Sequence, residues 1–102
     1  MPDPWQLIWT RHAAEDVNRL RAFIRLHNPD AAQRAAQAIQ KAADLLLQHP
    51  AIGHPAHGLP EFRDLLVPFG SRGYVLRYRL DGNRIIVIRV WHSLEERRTL
   101  ED

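Results

Sequence analysis

The chain has 102 residues, a length that fits one domain spanning residues 1–102 and cannot comfortably hold two. With 45% apolar and 25% charged residues, it has an ordinary globular composition and can bury a core without staples. It contains no cysteine, which excludes disulfides, thiolate metal sites and a cysteine nucleophile, and its net charge of +2 is modest.

The sequence predicts a cytoplasmic protein with no membrane association. No apolar stretch approaches the ~20 residues that cross a bilayer, and the opening MPDPWQLIWT lacks the basic-then-apolar layout of a signal peptide. The fourteen basic residues include a single lysine, Lys41, so thirteen are arginine. Arginine suits planar, bidentate contacts with carboxylate or phosphate.

The first half of the chain predicts a strand followed by two helices. The alternation in WQLIWT, residues 5–10, indicates a short strand, and Thr10 is a suitable N-cap for the first helix. Apolar residues spaced four and three apart predict that helix over residues 11–27. Asn28 and Pro29 then end it and start another, which continues to residue 49 and whose alanines predict a tight helical hairpin.

The second half predicts a loop and three strands. Prolines and glycines mark residues 50–60 as a loop, and strands are expected over residues 62–69, 74–80 and 84–92. Ser93 is expected to cap a short C-terminal helix, with Glu96 completing a capping box. The order predicts an α+β fold, in which a helical hairpin packs on one face of a mainly antiparallel four-stranded sheet.

The register of the last two strands decides where their arginines lie. A two-residue turn at positions 82–83 would set Leu76 opposite Arg89, whereas a three-residue loop at 81–83 pairs Leu76 with Ile88. The second register separates polar from apolar side chains, and three-residue hairpin loops are common. We therefore expect the three-residue loop.

In that register, one sheet face carries a mixture of basic and apolar side chains. Its members are Val75, Arg77, Arg79, Ile85, Val87, Arg89 and Trp91. This predicts a semi-apolar, basic surface on the side away from the helices, with Trp91 at one end, suited to binding protein or nucleic acid. The alternative is that it is simply the solvated side of an antiparallel sheet.

Several short motifs occur together in a specific order. They are Trp9-Thr10 with Ala13 and Asp16, Asn28-Pro29, Leu46 with Pro50 and Gly53, Arg63 with Leu65, the run from Tyr74 to Arg79, and the run from Ile88 to His92. In these motifs the chain resembles, over nearly its whole length, the RelE/ParE toxins of type II toxin–antitoxin systems, on the ParE side. The resemblance implies the strand, helix, helix, three-strand order, no cofactor and a cognate antitoxin that neutralises the toxin.

The resemblance also bears on activity. RelE-like members cut mRNA on the ribosome, whereas ParE-like members poison DNA gyrase without being nucleases. RelE-type nucleases carry arginines where this chain has Val75 and Ser93, and a tyrosine near Thr99. The resemblance therefore favours a gyrase-directed toxin over an enzyme. Two alternatives stay open: a ribosome-dependent mRNA endonuclease and a non-toxic binding relative.

The expected site residues depend on these alternatives. In a nuclease, His92 would serve as the general acid–base and Arg89 as a phosphate clamp, although strand alternation puts them on opposite faces. For binding the target or the antitoxin, the expected residues are Arg63, Arg77, Arg79, Arg89, Trp91 and His92. Direct nucleic-acid binding is left open. The resemblance implies a disordered antitoxin segment, for which we expect the groove beside the helical hairpin together with the arginine face.

Two further groups of side chains have structural interpretations. His49, His54 and His57 share one loop, but that loop contains no carboxylate, so exposed histidines are expected there and no metal site. Asp16 lies beside the apolar stripe of the first helix, where a salt bridge or cap is a better interpretation than catalysis.

Overall fold

The structure is a computed structural model that describes residues 4–95. Within this range the chain forms five strands and two helices, and their order agrees with the predicted α+β fold. The elements are β1 (Gln6–Trp9), α1 (Arg11–Arg25), α2 (Pro29–Leu46), β2 (His54–Ala56), β3 (Leu59–Phe69), β4 (Arg72–Asp81) and β5 (Arg84–His92). Neither helix is long and apolar enough to cross a membrane. The expected Ser93–Glu96 capping box extends outside the described residues.

Both helices begin at the predicted caps. The Thr10 hydroxyl accepts a hydrogen bond from the backbone N–H of Ala13 at 3.1 Å, and the Asn28 side chain accepts one from Ala31, also at 3.1 Å. Pro29 occupies the start of α2, where a missing N–H costs nothing. The helices end two and three residues earlier than predicted, at Arg25 and Leu46.

The sheet has five strands rather than the four predicted, in the order β1-β5-β4-β3-β2. β1 runs parallel to β5, and the other neighbours are antiparallel. The additional strand, β2, lies within the predicted loop. It has only three residues, and its sequence HPA lacks the apolar alternation that identifies a strand.

The predicted register between β4 and β5 is wrong. Asp81 pairs with Arg84 across a two-residue turn, in which Gly82 takes a left-handed φ of +59°. A bulge then intervenes, because Tyr78 pairs with Val87 whereas Arg77 pairs with Arg89. The bulge adds one residue to β5 and so exchanges the faces of the side chains beyond it.

Because of the bulge, only part of the predicted arginine face is correct. Val75 pairs with Trp91 next to the Arg77–Arg89 pair, so these four share one face as predicted. Ile85 and Val87, which precede the bulge, belong instead to the core beneath the helices. A sequence pattern with a constant period of two has no means of showing a bulge.

The core lies between the helical hairpin and one face of the sheet, the face opposite the one that carries Arg77 and Arg89. Its fully buried members include Ile39 and Leu46 from α2 and Leu76 and Val90 from the central strands. Small buried residues in α2, such as Ala35 and Ala43, allow the close helix packing that the sequence predicts. This packing fixes which sheet face remains for other roles.

Candidate functional site

A row of four charged side chains crosses the sheet on the face away from the core. Arg77 of β4 binds Asp64 of β3 through two hydrogen bonds, at 2.8 and 3.0 Å. Arg89 of β5 lies directly opposite Arg77 and binds Asp16 of α1 at 2.8 and 3.1 Å. Like charges placed opposite each other in a sheet are destabilising, and here each arginine is neutralised from its outer side.

Asp16 also closes the edge of the sheet. β1 ends at Trp9, and beyond that point the Asp16 carboxylate accepts a hydrogen bond from the backbone N–H of Val90 at 2.9 Å. The Thr10 hydroxyl lies within hydrogen-bond distance of the Val87 and Ile88 carbonyls, at 2.9 and 3.1 Å. The ion pair between Asp16 and Arg89 confirms the predicted salt-bridging role of Asp16.

The expected open, basic surface is absent from the centre of this face. Arg77 is 2% exposed, Trp91 is fully buried, and the guanidinium carbon of Arg77 lies 4.9 Å from the centre of the Trp91 ring. Both paired carboxylates are distant in sequence, at 13 and 73 residues from their arginines, so no local pattern reveals them. Arg79 differs from Arg77 and Arg89, because it is partly exposed and makes no ion pair within residues 4–95.

Arg63 and Tyr78 hold the connector between α2 and β2. Arg63 donates to the backbone carbonyls of Ala51 and Gly53, at 3.2 and 2.8 Å. The Tyr78 hydroxyl accepts from the Gly53 N–H at 2.9 Å and donates to the Pro50 carbonyl at 2.7 Å. Thus Arg63, expected at a binding surface, also has structural partners in the connector.

The same contacts explain the connector motif. A Cβ atom at Gly53 would lie 2.8 Å from the Tyr78 ring, closer than side-chain atoms pack, so only glycine fits there. Burial raises the pKa of Tyr78, while the hydrogen bond from Gly53 and the charge of Arg63 lower it less strongly. The sequence showed the motif but not this partner.

His92 lies on the opposite face of β5 from Arg89, as predicted. Its ring contacts Tyr74 edge to face, with 5.5 Å between ring centres. The backbone N–H of Leu94 donates to His92 Nδ1 at 3.2 Å, which leaves the proton of the neutral imidazole on Nε2. In this arrangement, His92 presents a hydrogen-bond donor rather than a free base.

His92 and Tyr74 line a groove of about 860 Å³ between α1 and the β3–β4 turn. Phe23 of α1 and Leu94, which lies just past β5, also line it, and each is 65% exposed. Large exposed apolar side chains beside a groove mark an interaction surface. This groove is the open candidate site that the structure offers.

The loop histidines do not converge. His54 lies in β2, His49 and His57 lie outside it, and all three are exposed. In the part of the chain that the structure describes, no three potential ligands are grouped to hold a metal ion.

By sequence, the chain is similar to known bacterial toxins. The model of a family described as the ParE toxin of type II toxin–antitoxin systems, parDE, matches residues 7–97. The toxin RelE1 of Caulobacter vibrioides is 39% identical over 85 residues, covering 83% of this chain and 89% of that protein. Toxin RelE3 of the same organism is 38% identical, covering 83% of this chain and 90% of that protein.

Solved structures show the same fold. A chain of the chromosomal ParDE toxin–antitoxin system from P. aeruginosa superimposes with a TM-score of 0.72 at 26% identity, covering 87% of this chain and 96% of that one. A mutant of E. coli toxin RelE in the free state gives a TM-score of 0.60 at 19% identity, covering 86% of this chain and 82% of that one.

The chain belongs to the ParE toxin family of type II toxin–antitoxin systems. This membership confirms the resemblance that the motifs carry, and it makes the chain a toxin of this class. In this member of the ParE toxin family, Val75 is buried beside Trp91, and Ser93 is exposed just beyond β5. Thr99, the third compared position, lies outside the described residues.

Proposed function

We propose that this ParE-family toxin acts by binding DNA gyrase and not by cutting RNA. The observation that carries the proposal is the separation of the two residues that a nuclease would use. Arg89 and His92 lie on opposite faces of β5, and Arg89 is bound by Asp16. Metal-free RNA cleavage needs a base, an acid and a phosphate-binding cation around one phosphate group.

Two further observations support a non-nuclease toxin. The Nδ1 lone pair of His92 accepts the Leu94 N–H, so the ring offers no free base in its neutral form. Val75 stands where the resemblance places an arginine in RelE-type nucleases, and its side chain is buried against Trp91. We expect the toxin to act in the cytoplasm, where gyrase is found.

An mRNA endonuclease of the RelE type is the second candidate. Two relatives at 39% and 38% identity bear RelE names, and His92 lines the open groove. In this alternative, His92 would need to release the Leu94 N–H before accepting a proton.

We also propose that a cognate antitoxin neutralises the toxin by inserting a segment into the groove between α1 and the β3–β4 turn. The related P. aeruginosa chain comes from a ParDE toxin–antitoxin system. Phe23 and Leu94 expose apolar area along this groove, which suits a segment that folds as it binds. The arginine face is no part of this proposal, because Arg77 and Trp91 are buried.

The two candidate activities are separated by assays on purified wild-type and His92→Ala toxin. We expect both proteins to inhibit DNA supercoiling by gyrase and neither to cut ribosome-bound mRNA. Thermal melting serves as the folding control for the variant, because His92 itself lines the groove assigned to the antitoxin. Cleavage of mRNA by wild-type toxin that His92→Ala abolishes would reject the gyrase proposal and support the endonuclease.

A further inference from the structure

The groove between α1 and the β3–β4 turn has charged groups beside its apolar walls. Among the described residues that line it, the arginines are Arg19 of α1 and Arg72 at the start of β4, and the only carboxylate is that of Glu95, just past β5. Arg72 is exposed and makes no ion pair within residues 4–95. In this part of the chain the groove therefore has an excess of positive charge.

Glu95 of the chain itself binds Arg19 at this groove. Nη1 and Nη2 of Arg19 donate to the two carboxylate oxygens of Glu95, at 2.8 and 3.3 Å. Leu94, next to Glu95 in the chain, also lines the groove and is 65% exposed. An acidic side chain that follows an apolar one thus fits this end of the groove.

The contact between Arg19 and Glu95 can be exchanged at little cost. The two side chains are 47% and 29% exposed, and ion pairs in contact with water are weak, because solvent and salt screen them. A segment lying in the groove would exclude water from Arg19, which strengthens a charged hydrogen bond to it. The carboxylate of Asp16, 3.6 Å from Arg19, already accepts hydrogen bonds from Arg89 and Val90.

We propose that the groove takes an acidic segment of the antitoxin, in which one carboxylate displaces Glu95 from Arg19. Arg72, on the side of the groove opposite α1, attracts further acidic residues of the same segment. The inference rests on the proposed antitoxin site. It adds the charge of the segment and a competition between that segment and a side chain of the toxin itself.

Calorimetric titration of the full-length toxin with its full-length cognate antitoxin tests the competition. Glu95→Gln keeps the size of the side chain and removes its charge, so it should tighten antitoxin binding about threefold, the effect of freeing one exposed ion pair. Asp81→Asn changes the net charge equally at an exposed ion pair that does not line the groove, and it should leave the affinity unchanged. Unchanged or weaker binding by Glu95→Gln, or equal tightening by both variants, would overturn the proposal.

Arg19→Met identifies the group for which the two carboxylates compete. Added to Glu95→Gln, it should weaken antitoxin binding about tenfold, because the segment then loses its charged hydrogen bonds. Added to Arg19→Met, Glu95→Gln should leave the affinity unchanged, because no cation remains to be freed. A gain from Glu95→Gln that persists together with Arg19→Met would contradict the assignment to Arg19.

Phe23→Ser separates failure of this inference from failure of the antitoxin site. Phe23 lines the groove but carries no charge. If Phe23→Ser leaves antitoxin binding unchanged, the segment does not lie in the groove, and both the site and the competition are wrong. If Phe23→Ser weakens binding while Glu95→Gln does not tighten it, the site holds and the competition alone is wrong. Thermal melts of each variant verify that it is folded.

Discussion

Asp16 binds several groups at once and connects α1 to the edge strand segment of β5. Its carboxylate accepts two hydrogen bonds from Arg89 and one from the Val90 N–H, and Arg19 lies 3.6 Å away. The side chains of Asp16 and Arg89 are 6% and 14% exposed, so water screens this ion pair only weakly.

Asp16→Asn should therefore destabilise the fold strongly. Asparagine keeps the shape but removes the charge that compensates Arg89, and removing one partner of a buried ion pair costs about 3–5 kcal/mol. Urea unfolding measures the free energy. Asp81→Asn is the control, because its pair with Arg84 is exposed and surface pairs contribute about 0–1 kcal/mol. Equal stabilities of the two variants would show that the Asp16 contacts contribute little.

The hydroxyl of Tyr78 is a second single group that stabilises the fold. It accepts from Gly53 and donates to Pro50, and Tyr78→Phe would leave both connector groups without this partner. We expect a loss of about 1–3 kcal/mol in the free energy of unfolding. A change below a few tenths of a kcal/mol would mean that the connector is held without this hydroxyl.

Tyr78, together with Tyr74, should make the stability of the fold depend on pH. Burial raises the pKa values of Tyr74 and Tyr78 above the ordinary value of 10.0. Because the folded state favours the protonated phenols, their contribution is fully present below about pH 10 and is lost as the pH rises through the higher pKa values of the folded state. Thermal melts from about pH 8 to about pH 11 should show this fall, and Tyr78→Phe should reduce it. A variant that loses stability as steeply as wild type would contradict the assignment to Tyr78.

At the scale of elements, α1 and the β3–β4 turn form the groove to which we assign the antitoxin. Phe23→Ser should weaken antitoxin binding about tenfold or more, since buried aromatic residues dominate interfaces. Leu26→Ser is the matched control: Leu26 is also exposed, at 81%, and lies at the end of the same helix, but it does not line the groove. Isothermal titration calorimetry with the antitoxin measures both, and similar losses in the two variants would argue against the groove.

The elements also show which features a sequence can and cannot predict. The caps at Thr10 and Asn28 depend on contacts three residues away, and both were predictable. The sequence does not reveal the bulge in β5, which falls in an uninterrupted apolar run, or the strand β2, whose three residues show no apolar alternation. The burial of Arg77 depends on Asp64 in another strand, and that contact becomes visible only when the strands are paired.

At the scale of the whole molecule, the sequence comparisons identify the toxin family, but the architecture does not identify the target. A chain of the P. aeruginosa ParDE system and a mutant of E. coli toxin RelE superimpose on this one with TM-scores of 0.72 and 0.60, so all three share one architecture. Function must instead be argued from the side chains. In this chain, the arrangement of Arg89 and His92 favours a toxin that binds its target over one that cleaves RNA.

The most direct test is tightly controlled induction of the chain in a bacterium, scored in parallel for DNA damage and for protein synthesis. We expect filamentation and an SOS response while translation continues, and relief of both effects when the antitoxin is co-expressed. A rapid stop in translation without DNA damage would contradict the gyrase proposal and point to His92 as a catalytic residue. Unimpaired growth at confirmed expression would contradict toxicity itself and favour a non-toxic relative.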